Sequence, residues 1–285
     1  MTLTLTVGDL TIHRIIEAEG RFLPALEMLA GLTPELLAEN RHWLQPHALD
    51  PDDVFKLCFQ SYVVRTPHHT ILVDSCIGND KPRGRAEWSM KTDDTYLRAL
   101  KAAGFAVEDI DYVMCTHLHV DHVGWNTKLE NGRWVPTFKN ARYVFVKPEY
   151  EYWRTHAPTP SHAAVFEDSV KPIIDANMAD LVAPDAKLCD ELTLIPTPGH
   201  SPGHVSIHIQ SDGEQGLLTG DVAHHPCQMW RTEWSASPDS DPAQSTKTKR
   251  ELFSRFADTK TLVIGGHFDA GYIKRDGDRF KYVAA

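Results

Sequence analysis

The chain has 285 residues, 42% of them hydrophobic and 24% charged, with 29 basic against 39 acidic side chains and a net charge of −10. Such a length holds one large domain or two small ones and can bury a core. An acidic surface repels phosphate backbones over roughly a Debye length of about 10 Å, and no window approaches the roughly 18 apolar residues of a membrane span, so neither nucleic acid nor a bilayer is an expected partner.

Alternation from Leu3 to Val7 and from Leu10 to Ile16, around Gly8-Asp9, predicts a hairpin. This start lacks the basic flank and long apolar run of a signal peptide. The five cysteines, Cys58, Cys76, Cys115, Cys189 and Cys227, have no paired spacing, so a cytoplasmic chain with reduced thiols is expected. Between Phe22 and Leu44, leucines at three-residue spacing after Pro24 and a Thr33-Pro34-Glu35 start predict short helices, which suit a lid over a site or a cap on the core equally. Leu57 to Arg65 and Thr70 to Asp74 read as strands around a Pro67-His68-His69 turn, its histidines facing solvent. The second runs into Asp74-Ser75-Cys76-Ile77-Gly78, where a carboxylate is placed to orient a ligand histidine. Asp93 to Ala103 has helical spacing with Gly104 as its stop, and leads to the apolar strand Tyr112-Val113-Met114-Cys115.

Behind that strand stands Thr116-His117-Leu118-His119-Val120-Asp121-His122, four potential metal ligands within six residues. Neutral imidazole and carboxylate are the groups that zinc and related ions accept. On an extended segment His117 and His119 project to one side, while Asp121 and His122 lie past the strand in a turn. A ligand-free histidine-rich turn is the bland alternative, and it loses ground if more ligands follow downstream.

They do. A hairpin over residues 126 to 146, turning at Asn131-Gly132, and helices from Pro148 to Thr155 and from Ala163 to Ala176, with a break at Pro172, lead into further strands. Leu192 to Ile195, Leu217 to Thr219 and Leu262 to Ile264 end in Thr197-Pro198-Gly199-His200, in Gly220-Asp221-Val222-Ala223-His224-His225-Pro226 and in Gly265-Gly266-His267, with Val205 to Ile209 between the first two. Ser235 to Ser245 is the best loop candidate, and no linker separates independent domains. His117, His119 and His200 make a three-imidazole site with a position open for water. Asp121, His122 and His267 make a second, with Asp221 bridging. Two ions about 3.5 to 4 Å apart share a hydroxide whose pKa falls to about 7, a nucleophile for hydrolysis. Zinc is the first expectation, and manganese, iron or cobalt would be accepted by the same ligands.

The ordered set His117-Leu118-His119-Val120-Asp121-His122, Gly199-His200, Gly220-Asp221 and Gly265-Gly266-His267 resembles the metallo-β-lactamase superfamily over roughly residues 58 to 267. The resemblance implies an α/β (α+β) fold, a four-layer αββα sandwich with the metals at one edge between two sheets. It implies one domain over residues 1–285, with 20–50 as a lid or N-terminal extension. Flavodiiron oxidoreductases of the family carry glutamate at the place of His119, so redox iron is not expected. Nucleases bring basic surfaces, glyoxalase II thioesterases a basic cluster for glutathione, and the main β-lactamases lack the bridging aspartate; the chain departs from each.

With Val73-Asp74-Ser75-Cys76-Ile77-Gly78 and Gly220-Asp221-Val222-Ala223-His224-His225-Pro226, the chain looks most like the lactonase and methyl parathion hydrolase-like branch. That implies a dinuclear hydrolase opening lactones or cleaving carboxyl esters. A phosphotriesterase is the runner-up, with a thioesterase, a β-lactamase or a non-catalytic metal-binding protein behind it. Homoserine lactonases of the branch place a tyrosine three residues after the bridging aspartate, where this chain has His224, the expected donor to the oxyanion or leaving alkoxide. Asp121 and His224 are thus the catalytic candidates, and Asp74 and His204 support the ligands. Phe22, Met28, Trp88, Trp125, Trp230 and Phe268 are the candidate walls of an apolar pocket for a small-molecule ester or lactone. A homodimer is the assembly allowed for.

Overall fold

The computed structural model describes residues 4–45 and 48–285. Leu3, the expected start of the first strand, and residues 46–47 of the 20–50 segment lie outside the described residues. The chain divides into two units, Met1–Ala18 with Phe59–Ala186 and Glu19–Cys58 with Lys187–Ala285.

The first unit is built on a seven-stranded sheet in the order Thr4–Val7, Leu10–Pro24, Val54–Arg65, Thr70–Val73, Tyr112–Met114, Arg142–Val146, Ala179–Val182. Its last three pairings are parallel, as strands linked by helices require. The helix Thr95–Ala102 supplies one crossover, and its Tyr96 and Leu100 pack with Val113, Phe138, Tyr143, Phe145, Trp153 and Ile173. Val73 pairs with Met114, so Asp74 and Thr116 leave the sheet at the same edge. Ligand sites of such sheets gather there, outside the carboxyl ends of parallel strands.

Three expectations change in this unit. The Asn131-Gly132 hairpin is confined to Thr127–Glu130 and Arg133–Pro136, both turn residues having the positive φ of a tight primed turn. Arg142–Val146 instead joins the main sheet, because Tyr143 to Val146 are all buried. The expected helix from Ala163 to Ala176 is three pieces, Pro160–Val165, a π turn Phe166–Val170 and Lys171–Asp175. The π turn presents Asp168 to the buried Arg83 guanidinium in a two-pronged ion pair of 2.7 and 2.9 Å.

The second unit carries a six-stranded sheet, ordered Leu192–Pro196, Val205–Ser211, Glu214–Leu218, Leu262–Ile264, Gly271–Asp276, Arg279–Ala284. Only the Glu214–Leu218 and Leu262–Ile264 pair is parallel. Their crossover is the helix Pro242–Phe256, which begins inside the stretch expected to be loop. Asp241 caps it by accepting from Gln244 N at 2.9 Å, with Pro242 in the first turn. Leu252, Phe253 and Phe256 bury one face against Leu217, Val263, Ile273 and Phe280. Ser235–Ala236 is not loop either, since it pairs with Leu29–Ala30.

The N-terminal part of the second unit also departs from expectation. The strand from Leu10 runs on to Pro24, so only Ala25–Met28 forms a helical turn before Leu29. The Thr33 start holds: its hydroxyl accepts from Leu36 N at 3.2 Å and caps Pro34–Leu44, which buries Leu37 and Leu44. Among the described residues no helix is long and apolar enough to cross a membrane.

Candidate metal centre

In the first unit the histidine cluster lies beyond its strand, which ends at Met114, and follows in turns. Strand alternation therefore does not arrange it. A turn closed by His122 N donating to His119 O at 3.1 Å does, with the His117 ring 4.6 Å from that of His119 and 4.0 Å from that of His122. The Asp121 carboxylate comes to 3.8 Å from His122 Nε2.

The hydrogen bonds around the cluster fix its tautomers. Asp74, held at the left-handed φ of +58°, accepts from Thr116 N at 2.7 Å, from Thr116 Oγ1 at 2.9 Å and from His122 Nδ1 at 2.9 Å. An ionised carboxylate only accepts, so His122 carries its proton on Nδ1 and presents the Nε2 lone pair. The Thr116 hydroxyl, having donated to Asp74, accepts from His117 Nδ1 at 3.1 Å and sets that ring the same way. Glu149, which the sequence reading missed, accepts from Leu118 N at 3.1 Å and from Trp153 Nε1 at 2.7 Å, pinning the backbone between the two histidines. Trp153 in turn lies edge-on to His119 at 5.2 Å.

The second unit gathers its ligands from three loops at one edge of its sheet. Asp221 Oδ2 lies 3.1 Å from His267 Nε2, 3.2 Å from His224 Nε2 and 3.5 Å from His200 Nε2, all four residues being buried. His267 Nδ1 donates to the Cys58 carbonyl at 2.8 Å, and His200 Nδ1 to the Asp239 carboxylate at 2.9 Å. Both partners accept only, so both Nε2 lone pairs face a carboxylate. Lone pairs opposed at such distances repel unless a cation or proton stands between them. A buried set of oriented neutral imidazoles around a carboxylate fits a divalent transition metal, and His200, Asp221 and His224 offer ligand atoms within 4.8 Å of one another.

His204 and His224 differ in role. His204 Nε2 accepts from Asp221 N at 2.8 Å while its Nδ1 is engaged by Thr197 Oγ1 at 2.8 Å, so it holds the Asp221 backbone. His224 stacks on His267 with ring centroids 5.2 Å apart. Burial lowers the His224 pKa below its ordinary value, against the pull of Asp221. Gly266 leaves room for the carboxylate: a Cβ there would lie 2.6 Å from Asp221 Oδ1. Asp239 was missed by the sequence reading because nothing marks it apart from its neighbour Asp241.

Of the six candidate pocket residues, Trp88 and Trp125 belong to the first unit and Phe22, Met28, Trp230 and Phe268 to the second. Trp125 is corrected to a core residue: it stacks on Tyr96 at 5.3 Å and donates its indole N–H to Glu17 at 3.0 Å inside the first unit. Gly124 turns it inward by packing onto Ile77, where a Cβ would lie 1.9 Å from the carbonyl oxygen. Phe268 packs in the second unit's core beside Tyr282, and Met28 is buried in the same unit. Trp88 meets Phe59 edge-on at 5.0 Å, and Trp230 lies under Arg279 at 5.1 Å. Those two and Phe22 are half-buried.

Comparison with known proteins bears on this geometry. The sequence model of the metallo-beta-lactamase superfamily matches residues 60–267. An N-acyl homoserine lactonase of Bacillus cereus is 28% identical over 234 residues, covering 77% of this chain and 84% of its own. Among solved structures, AidC, a dizinc quorum-quenching lactonase in complex with a product, superposes with a TM-score of 0.85 at 19% identity, over 100% of this chain and 97% of its own. The hydrolase AbOPH of the beta lactamase superfamily gives 0.83 at 20% identity over 100% and 97%. The structural likenesses show a shared fold.

Proposed function

The chain belongs to the metallo-β-lactamase superfamily, and from that premise we propose that it is a dinuclear metal-dependent hydrolase that opens lactones or cleaves related carboxyl esters. His117, His119, Asp121 and His122 of the first unit and His200, Asp221 and His267 of the second are the residues that would hold the ions, with zinc the first expectation. The carrying observation is the set of tautomers: the Nδ1 protons of His122, His200 and His267 are committed to acceptor-only partners, which leaves each Nε2 as a lone-pair donor. Divalent ions bound there supply a water nucleophile of pKa about 7 and a Lewis acid for the carbonyl.

The residues do the rest. His204 holds the Asp221 backbone, and Gly266 leaves room for its carboxylate. His224 donates a hydrogen bond to the departing alkoxide, in the position that homoserine lactonases fill with tyrosine. Its buried Nδ1 makes no hydrogen bond among the described residues, so the ring keeps one nitrogen that no protein group engages. The lactone class is supported by relatives over 77% of the chain that are N-acyl homoserine lactonases. The phosphotriester alternative has no such support. Five cysteines without a disulfide suit a cytoplasmic location.

Metal analysis with a panel of lactones, aryl esters, phosphotriesters and nitrocefin tests this reading. A pair of metals per chain and fastest turnover on a lactone or carboxyl ester, abolished by chelation, is the expected result. Clearly fewer metals, or no turnover on either class, overturns it.

A further inference from the structure

We propose that Asp239 is a positioning residue for His200: seated on the first turns of the Pro242–Phe256 helix, its carboxylate fixes the imidazole proton on Nδ1 and aims Nε2 at Asp221. The inference rests on the reading of His200 as a metal ligand.

The Asp239 side chain is only 2% exposed, and both of its oxygens are committed. Oδ1 accepts from His200 Nδ1 at 2.9 Å, and Oδ2 accepts from Ser245 Oγ at 2.6 Å and from Ala236 N at 3.2 Å. These bonds come from two sides, so the carboxylate cannot rotate without breaking one. A buried anion needs a nearby cation, and the fully buried Lys249, whose Nζ donates to Trp234 O at 3.1 Å, comes to 4.0 Å from Oδ2.

The backbone around His200 is fastened to the same element. Ser240 N donates to His200 O and Asp241 N to Gly199 O, both at 2.9 Å, and Thr248 Oγ1 donates to Pro198 O at 2.6 Å. Gly199 has a φ of +133°, and a Cβ on it would lie 2.4 Å from Ser245 N, so the loop rests directly on the helix start. Main chain and ring are thus held by one rigid body. A carboxylate on the distal nitrogen of a ligand histidine orients the ring and raises its basicity, and its loss weakens metal binding about 10- to 100-fold.

The test uses the full chain with Asp239→Ala, which removes the acceptor, and Asp239→Asn, which keeps one oxygen and removes the charge. In metal-free protein at mildly alkaline pH, nitrogen NMR of labelled histidine is expected to show His200 protonated on Nδ1 in the wild type and to lose that preference in Asp239→Ala. Zinc titrated against a chelating indicator is expected to bind about 10- to 100-fold more weakly at one site of Asp239→Ala, with Asp239→Asn between it and the wild type. Wild-type tautomer and zinc affinity in folded Asp239→Ala overturn the proposal. Should that variant fail to fold, Asp239→Asn decides, and zinc affinity equal to the wild type overturns the proposal. A wild-type chain that takes up no zinc, yet shows a His200 tautomer dependent on Asp239, removes the functional reading and leaves the positioning role standing.

Discussion

The two units hold their histidines by different means. In the first, the ligand candidates sit within six consecutive residues and share one support, because sheet register brings Asp74 beside Thr116: that carboxylate grips His122 directly and His117 through the Thr116 hydroxyl. In the second, His200 is supported from Asp239 and His267 from the Cys58 carbonyl, each from a remote place, and both face a single carboxylate. A contiguous cluster can be oriented by one neighbouring strand, whereas a dispersed one concentrates its dependence on the shared anion. The first design should therefore fail at its support and the second at its centre.

The sharpest break is Asp221→Ala. It leaves three buried imidazole nitrogens converging on nothing. Turnover of the best lactone substrate is expected to fall roughly 1,000-fold or more, about 4 kcal/mol of transition-state stabilisation, with zinc stoichiometry reduced. Near-normal kcat/KM with a full metal complement would remove Asp221 from the centre.

Asp74→Asn is the corresponding break in the first unit. His122 loses its carboxylate acceptor and His117 the anchor of the Thr116 hydroxyl that accepts from it, so zinc affinity is expected to fall roughly 100-fold, further than any variant that frees one histidine. The Thr116 N–H and hydroxyl, both buried, lose their charged acceptor as well, and stability should drop by about 1–3 kcal/mol in urea unfolding. A loss no greater than that of Asp239→Asn would show that the shared support is not shared.

Gly266→Ala probes the second unit's centre without replacing a candidate ligand. Its methyl group would meet Asp221 Oδ1 at 2.6 Å and Gly220 O at 2.9 Å, and the carboxylate is the softer of the two. A displaced carboxylate should weaken zinc binding roughly tenfold, while overpacking lowers stability by about 1–3 kcal/mol. Unchanged zinc affinity would mean that the backbone yields instead.

These differences also explain what could be read in advance. The cluster from His117 to His122, the Thr33 cap and the strand ends before His200, Asp221 and His267 are local patterns, written in neighbouring residues. Asp239, Glu149 and the Cys58 carbonyl act on residues 39, 31 and 209 positions away, and no local spacing announces such a partnership. The helix from Pro242 had a readable start in Asp241-Pro242, but the polar stretch around it masked the apolar face of Leu252, Phe253 and Phe256. Alternation failed for His117 and His119 because the strand stops at Met114. Proximity in sequence to the histidine cluster likewise said nothing about where the Trp125 ring would point.

Trp125→Phe tests that last correction and carries the smallest expected effect. Phenylalanine keeps a ring against Tyr96 but loses the indole N–H that Glu17 accepts at 3.0 Å. Glu17 keeps two other donors, Lys91 Nζ at 2.5 Å and Ile77 N at 2.6 Å, so its buried charge stays compensated. A hydrogen bond to a charged group contributes about 1.5–3 kcal/mol net, and the remaining donors place the cost near the lower end. The urea midpoint should fall with an unchanged slope, because the same surface is exposed on unfolding. A core residue has no route to substrate choice, so KM across the lactone and ester panel should stay at its wild-type value. A variant of unaltered stability that reorders the substrates would instead place the indole at the pocket.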